Sequence, residues 1–325
     1  MKKTVSVLLC LALAVCLFAS CKGQPVPVAE DGNIKIVTTI FPIYDWIRQI
    51  LGDNAENAAL TMLLDNGVDL HSFQPTASDI IKISTCDLFV YVGGESDEWV
   101  NDALKTATNE NMIVIDLLSV LGGDVKEEEE VEGMQPEAEE DTDADEPAYD
   151  EHVWLSLRNA EKLCGVLADA LAQLDPAHAA QYAENTAAYK QQLQTLDDAY
   201  VAAVDGAARK VMLFADRFPF RYLADDYGLT YYAAFAGCSA ETEASFETIA
   251  FLADKASELK LPGVFALDGG DGKIAQTVIA NSDDPSRAII YINSMQSVTA
   301  DDVAKGAAYL AIAESNLEAL TQALS

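Results

Sequence analysis

Between Ser156 and Val204 the chain carries an amphipathic helical pattern broken only near Asp175-Pro176. A helix of about 30 residues spans about 45 Å, enough to run the full height of a two-lobed protein and link its halves. Pro176 suits the first turn of a new helix, with Asp175 as its cap. On both sides of this element, short apolar or β-branched runs alternate with amphipathic stretches. N-terminal to it, strands are predicted at Ile34–Thr39 and Leu88–Val92 and at Ile113–Asp116, with an apolar run at Ala58–Leu64 that ends in the turn Asp65-Asn66-Gly67. Helices fall at Ile43–Leu51, Thr76–Thr85 and Glu98–Ala107. C-terminal to it, strands at Val211–Phe214, Thr230–Phe235, Gly263–Leu267 and Ala288–Ile292 alternate with helices at Arg221–Asp226, Phe246–Glu258 and Lys273–Asn281, and a final helix covers Val303–Leu324. Such alternation means mostly parallel sheets with helices on their faces. The predicted fold is α/β: two similar lobes, each a mostly parallel sheet flanked by helices, joined by a long backbone helix. The expected organisation is a leader at 1–20, a tether at 21–33, an N-terminal lobe at 34–123, an acidic loop at 124–151, the end of that lobe and the connecting helix at 152–204, and a C-terminal lobe at 205–325.

The leader sets the compartment. Lys2 and Lys3 precede an apolar run from Val5 to Ala19, and Phe18-Ala19-Ser20-Cys21 closes it. A short apolar region ending in small residues before a cysteine reads as a lipoprotein signal peptide, with Cys21 as the lipid anchor on the bacterial cell membrane. An uncleaved span would need about 20 apolar residues, and no later segment is long enough. The formal net charge of −33 makes nucleic acid and anionic lipid surfaces poor partners and cations good ones. Cys86, Cys164 and Cys238 are odd in number and lack C-x-x-C spacing, so neither a disulfide framework nor a thiolate zinc site is predicted. They read as small buried residues. The loop at 124–151, with Glu127–Glu130 and Glu139–Asp141, has too few apolar residues to offset ordering and is predicted to be disordered. It is either a solvated spacer or a device that raises the local cation concentration.

The sequence holds three histidines. His71 lies in NGVDLHSFQPT and His152 in YDEHVWLS, in loops beside polar turns where the carboxyl ends of strands would gather ligands. Neutral imidazole is the commonest metal ligand near neutral pH. His178 reads as an exposed helix residue. Asp216 and Asp268, at strand carboxyl ends, are candidate oxygen ligands, although Arg217 could pair with the first and the second could be a turn residue. Glu243 is a weaker candidate, and Cys238, soft enough for zinc, reads more simply as a buried thiol. Phosphate-binding, metalloprotease and nucleophile-elbow motifs are absent from the sequence, and the chain is not expected to be an enzyme.

The segments IVTTIFPIYDWIRQILGD, GVDLHSFQPTASDI, CDLFVYVGGESDEWV, DEHVWLSLRNA and YLAIAESNLEALTQAL resemble those of the metal-specific solute-binding lipoproteins of ABC importers for zinc and manganese. The resemblance covers essentially the whole mature chain. It implies His71 as the first metal ligand, from G-V-D-x-H-x-[FY]-x-P-[ST], and His152 as the second, from D-P-H-x-W-L with Glu151 in the proline's place. Many zinc-specific members carry a histidine-rich loop where this chain has its acidic one. The third ligand of H-D-A-F-x-Y falls on Ala215, which has no donor, and the fourth falls near Asn293, a weak carbonyl donor. The implied function is extracytoplasmic capture of Zn2+, with Mn2+ as the alternative, and delivery of the divalent metal ion to the membrane permease of an ABC importer by a monomer. Two rival readings remain at this point: an adhesin or interaction lipoprotein with a degraded metal site, and a surface buffer whose acidic loop holds calcium weakly.

Overall fold

The computed structural model describes residues 33–136, 148–239 and 243–325. The leader, Cys21, the tether up to residue 32 and the middle of the acidic loop lie outside the described residues. The N-terminal lobe runs β1 (Ile34–Thr38), α1 (Phe41–Leu51), β2 (Ala58–Met62), α2 (Ala77–Thr85), β3 (Leu88–Tyr91), α3 (Val100–Leu104), β4 (Ile113–Asp116) and α4 (Leu117–Leu121). Two helices follow, α5 (Leu157–Leu174) and α6 (Ala179–Asp205). The C-terminal lobe runs β5 (Val211–Arg217), α7 (Arg221–Tyr227), β6 (Thr230–Phe235), α8 (Phe246–Glu258), β7 (Gly263–Leu267), α9 (Lys273–Asn281), β8 (Ala288–Ile292), α10 (Ala300–Ala304) and α11 (Tyr309–Leu324).

Both sheets are parallel and share one topology, β2-β1-β3-β4 in the first lobe and β6-β5-β7-β8 in the second. In each, the chain leaves the first strand toward one edge and returns on its other side. This creates a switch point at the carboxyl ends, where ligands of open α/β sheets gather. Strand alternation divides the second lobe's core: Met212 and Phe214 face the main apolar cluster, and Leu213 faces a smaller one with Leu252, Val264 and Val278.

Local sequence explains the element boundaries. Thr76 and Asp79 form a reciprocal cap on α2, the Thr76 hydroxyl accepting from the Asp79 N–H at 3.3 Å and the Asp79 carboxylate accepting from the Thr76 N–H at 3.0 Å. Ser156 starts α5 by accepting the Asn159 N–H at 3.0 Å. The 27 residues of α6 extend about 40 Å and pack against α5, α1 and α11. The main apolar cluster passes from Trp46 and Phe89 through Tyr189 and Leu193 of α6 to Phe214 and Ile290. Among the described residues, no helix is long and apolar enough to cross a membrane.

Three expectations need correction. First, Asp175 closes α5 and does not cap the backbone of α6; its Oδ2 is bonded to His178 Nδ1 at 2.6 Å and accepts from the Tyr182 hydroxyl at 2.8 Å. His178 is therefore the half-buried residue preceding α6. Second, the final helix is two helices, because Gly306 takes φ 101° and the buried Asp45 carboxylate captures the Tyr309 N–H at 2.9 Å. Third, the flanks of the acidic segment are ordered. Glu127 pairs with Tyr149 as a bridge, and the Gln135 N–H bonds Ala234 O, on the edge strand β6, at 2.9 Å. Glu129 pairs with Arg221 at 2.7 Å, and Val125, Val131 and Met134 pack against the main core. Those three apolar side chains among the acids are what the composition argument undervalued.

Two bonds tie the segment between loop and connecting helix to the rest: the Tyr309 hydroxyl donates to Trp154 O at 2.6 Å, and Trp154 Nε1 donates to Ser294 O at 2.9 Å. All of these groups are buried. Tyr309→Phe would leave the Trp154 carbonyl buried without this donor, so a loss of about 1–3 kcal/mol is expected, measured as a lower midpoint in guanidinium unfolding at unchanged slope.

Candidate metal centre

Each histidine is aimed by its neighbours. The chain leaves β2, turns at Gly67 and enters a single helical turn, Leu70–Ser72, that carries His71. Asp69 caps that turn by accepting the His71 N–H at 3.1 Å, and Leu70 is fully buried beneath it. His152 precedes a similar turn, Val153–Leu155, where the acidic segment ends. Its N–H donates to Asp150 Oδ1 at 2.8 Å, and its Nδ1 lies 3.0 Å from the same oxygen. A carboxylate accepts, so Nδ1 carries the proton and Nε2 keeps the lone pair. His71 Nδ1 sits 2.8 Å from Ser96 Oγ and 3.5 Å from Glu151 Oε2. Both Nδ1 atoms are thus engaged on the far side, and the two Nε2 atoms face each other at 3.3 Å.

Two donors from the other lobe meet them. Gln296 Nε2 lies 3.3 Å from His71 Nε2 and 3.2 Å from His152 Nε2. The sulfur of Cys238 and the two imidazoles place ligand atoms all within 4.8 Å of one another, a group gathered from the described residues alone. Gly237 is what admits this approach: a Cβ there would stand 2.8 Å from the Phe218 carbonyl oxygen and 3.4 Å from His152 Cε1. From the sequence, Gln296 is not expected at this place, and Cys238, though soft enough for zinc, reads as a buried thiol. Cys238 had no sequence partner spacing to mark it, and Gln296 lies three residues beyond Asn293, whose side chain accepts the Met295 N–H at 2.7 Å. Met295 adopts φ 64° at this turn.

The surroundings favour neutral side chains. Burial pushes the His71 imidazole down to about 3, with the facing His152 and the Arg217 guanidinium adding to the effect. Burial also raises the Glu151 carboxyl and the Cys238 thiol. Glu151 occupies space that only a glycine at 94 leaves, since a Cβ there would be 2.3 Å from its Oε1. That oxygen accepts the Ser96 N–H at 2.9 Å, so Glu151 also positions the residue that holds His71.

Asp216 and Asp268 are not brought into this group. Both line the adjoining interlobe cleft of about 680 Å³, as do Glu243, Ala215 and Asp69. Asp216 is spent on the backbone, accepting the Arg217 N–H at 2.9 Å and the Leu267 N–H at 3.2 Å. Asp268 is exposed and accepts from Asn293 Nδ2 at 3.0 Å. Arg217 does not pair with Asp216; its guanidinium crosses the cleft to Asp69. Burial opposes ionisation of Asp69, and the hydrogen bond and ion pair with that guanidinium, joined by His71, together hold the carboxyl below its usual range.

A family model described as ZnuA, zinc-uptake complex component A periplasmic, matches residues 36–323. The chain is similar to the zinc-binding lipoprotein AdcA of Streptococcus pneumoniae (strain ATCC BAA-255 / R6), at 32% identity over 324 residues, covering 98% of this chain and 61% of that protein. It therefore spans about three-fifths of that relative's length. The high-affinity zinc uptake system protein ZnuA of Bacillus subtilis (strain 168) is 28% identical over 316 residues, covering 97% of this chain and 94% of the relative. The crystal structure of the Zn(II)-bound ZnuA-like domain of S. pneumoniae AdcA superposes with a TM-score of 0.70 at 28% identity, covering 90% of this chain and 99% of that one.

Asp150→Ala would release the His152 ring from its carboxylate. Affinity for a divalent metal is expected to fall about 10–100-fold in titration calorimetry, with the circular dichroism spectrum retained. Unchanged affinity would mean that packing alone orients the ring.

Proposed function

The chain belongs to the ZnuA family, the periplasmic component A of zinc-uptake complexes, and on that premise we propose that it captures a divalent transition metal ion, zinc by preference, outside the cytoplasm and hands it to the membrane permease of an ABC importer. Cys21 would anchor it as a lipoprotein, and His71 and His152 would be its first two metal ligands. The family's role is solute binding, and no catalytic step is invoked.

The observation that carries the proposal is the 3.3 Å separation of the two Nε2 atoms. With His152 protonated at Nδ1, its Nε2 lone pair faces either the lone pair or the N–H of His71 Nε2, and in both cases a dication placed between the rings in the proton's stead would satisfy both nitrogens. The Gln296 amide group stands beside both. Two nitrogens at about 2.05 Å from a tetrahedral zinc stand about 3.3 Å apart, so the bare protein already holds the spacing the bound ion demands. Imidazole suits zinc, whereas manganese prefers carboxylate and water oxygens. The carboxylates of Asp216 and Asp268 are occupied elsewhere, which favours zinc. The net charge of −33 attracts the cation before these ligands meet it.

His71→Ala and His152→Ala each remove one of the two facing donors. Each variant is expected to lose zinc affinity by on the order of a hundredfold or more, exceeding what loss of an outer-shell partner costs, while remaining folded by near-ultraviolet circular dichroism. The measurement is competition against a chromogenic chelator. If both variants compete as well as the parent protein, the imidazole pair is not the capture site.

A further inference from the structure

We propose that Cys238 supplies a thiolate as the third protein ligand of the captured ion and is the residue that selects zinc against manganese. This rests on the reading that the histidine pair holds the metal.

The geometry supports it from several sides. Cys238 follows β6 as His71 follows β2, and these two strands are the corresponding edges of two identically ordered sheets. The loop is pressed against His152 at Gly237, where a side chain would collide with the Phe218 carbonyl at 2.8 Å. Cys238 itself is pinned by its N–H, which donates to Glu128 Oε1 at 2.9 Å. Its sulfur lies within 4.8 Å of both histidine ligand atoms. A tetrahedral zinc with one sulfur at about 2.3 Å and a nitrogen at about 2.05 Å places those atoms about 3.6 Å apart, so shortening each S···N separation by no more than about 1.2 Å completes the contact. The other two described thiols have no such role: Cys86 and Cys164 are fully buried in the main apolar core.

The chemistry is a ligand exchange without redox change. The metal–sulfur bond forms as the S–H bond gives its proton to solvent, and the site's net charge falls from +2 on the ion to +1. A soft thiolate beside two imidazoles binds zinc far better than manganese, whose hard-oxygen preference it cannot meet.

The test uses Co2+ as a spectroscopic stand-in for zinc on the purified protein. Expected are visible d–d bands together with a near-ultraviolet thiolate-to-cobalt charge-transfer band, and in Cys238→Ser the charge-transfer band disappears while the d–d bands persist. Zinc affinity of that variant falls by on the order of a hundredfold, and the preference for zinc over manganese narrows by at least about tenfold. In the parent protein, which needs no variant to fold, zinc should protect Cys238 from alkylation as read by mass spectrometry. Cobalt d–d bands without a Cys238-dependent charge-transfer band, or equal alkylation with and without zinc, overturn the thiolate assignment and leave capture by the histidine pair standing. No cobalt bands and no zinc binding at all would overturn both.

Discussion

Two imidazole Nε2 atoms held 3.3 Å apart in a nearly dry wall are the constraint around which the rest of the candidate site is built. Left alone, each ring could rotate away from the other. Asp150 forbids that for His152 and fixes its tautomer by accepting at Nδ1, and the Ser96 hydroxyl, on a residue itself held by Glu151, keeps the His71 ring in place. Burial then removes the remaining escape, protonation, by pushing the His71 imidazole down to about 3. In the proposed bound state a cation would satisfy both nitrogens at once. The Gln296 amide group lies within 3.3 Å of both.

The histidines were legible because the sequence has so few of them, because each lies in a loop beside a polar turn, and because the segments around them resemble the family's motifs. The lobes were legible through alternation: helix Phe246–Glu258 and strands Gly263–Leu267 and Ala288–Ile292 fall where the apolar pattern put them. What failed to show was tertiary. Cys238 and Gln296 lie far along the chain from both histidines, and only the folding of the second lobe against the first brings them near. The break at Gly306 was hidden because alanines on both sides continue a helical pattern, and the deciding partner, Asp45, is on α1. Asp216 and Asp268 sit at strand ends as ligands do, but main-chain N–H groups and Asn293 claim their oxygens.

The acidic segment illustrates how composition can mislead over part of a stretch. Its ordered flanks bind the second lobe through Glu129 and Arg221, Lys126 and Asp225, and the Gln135 main chain against β6. Glu128 accepts from the backbone of Cys238, and Asp150 and Glu151 orient the histidines. Carboxylates that a sequence reading treats as one solvated charge run are in part the struts of the site. Carboxylates this close would also offset the charge of the proposed dication, which would be costly if left uncompensated in a buried place.

The two lobes cannot part freely. One apolar cluster runs from α1 through α6 into the second sheet, and opening the lobes as rigid bodies would expose it to water at about 25 cal/mol per Å² of apolar surface. The long helix adds a stiff spine to that shared core. Freedom is therefore confined to the cleft side, where the carboxyl-end loops meet and where polar contacts replace apolar ones. There the Arg217 guanidinium reaches across to Asp69, whose other oxygen caps the turn bearing His71. A movement of β5's end would thus be felt directly at the His71 imidazole, whereas His152, tied through Trp154 to Ser294 and Tyr309, would stay with the core. If the two imidazoles hold the proposed ion, one ligand on a movable loop and one on the fixed frame would let it be held tightly and still be released by a local shift, without the cost of separating the halves.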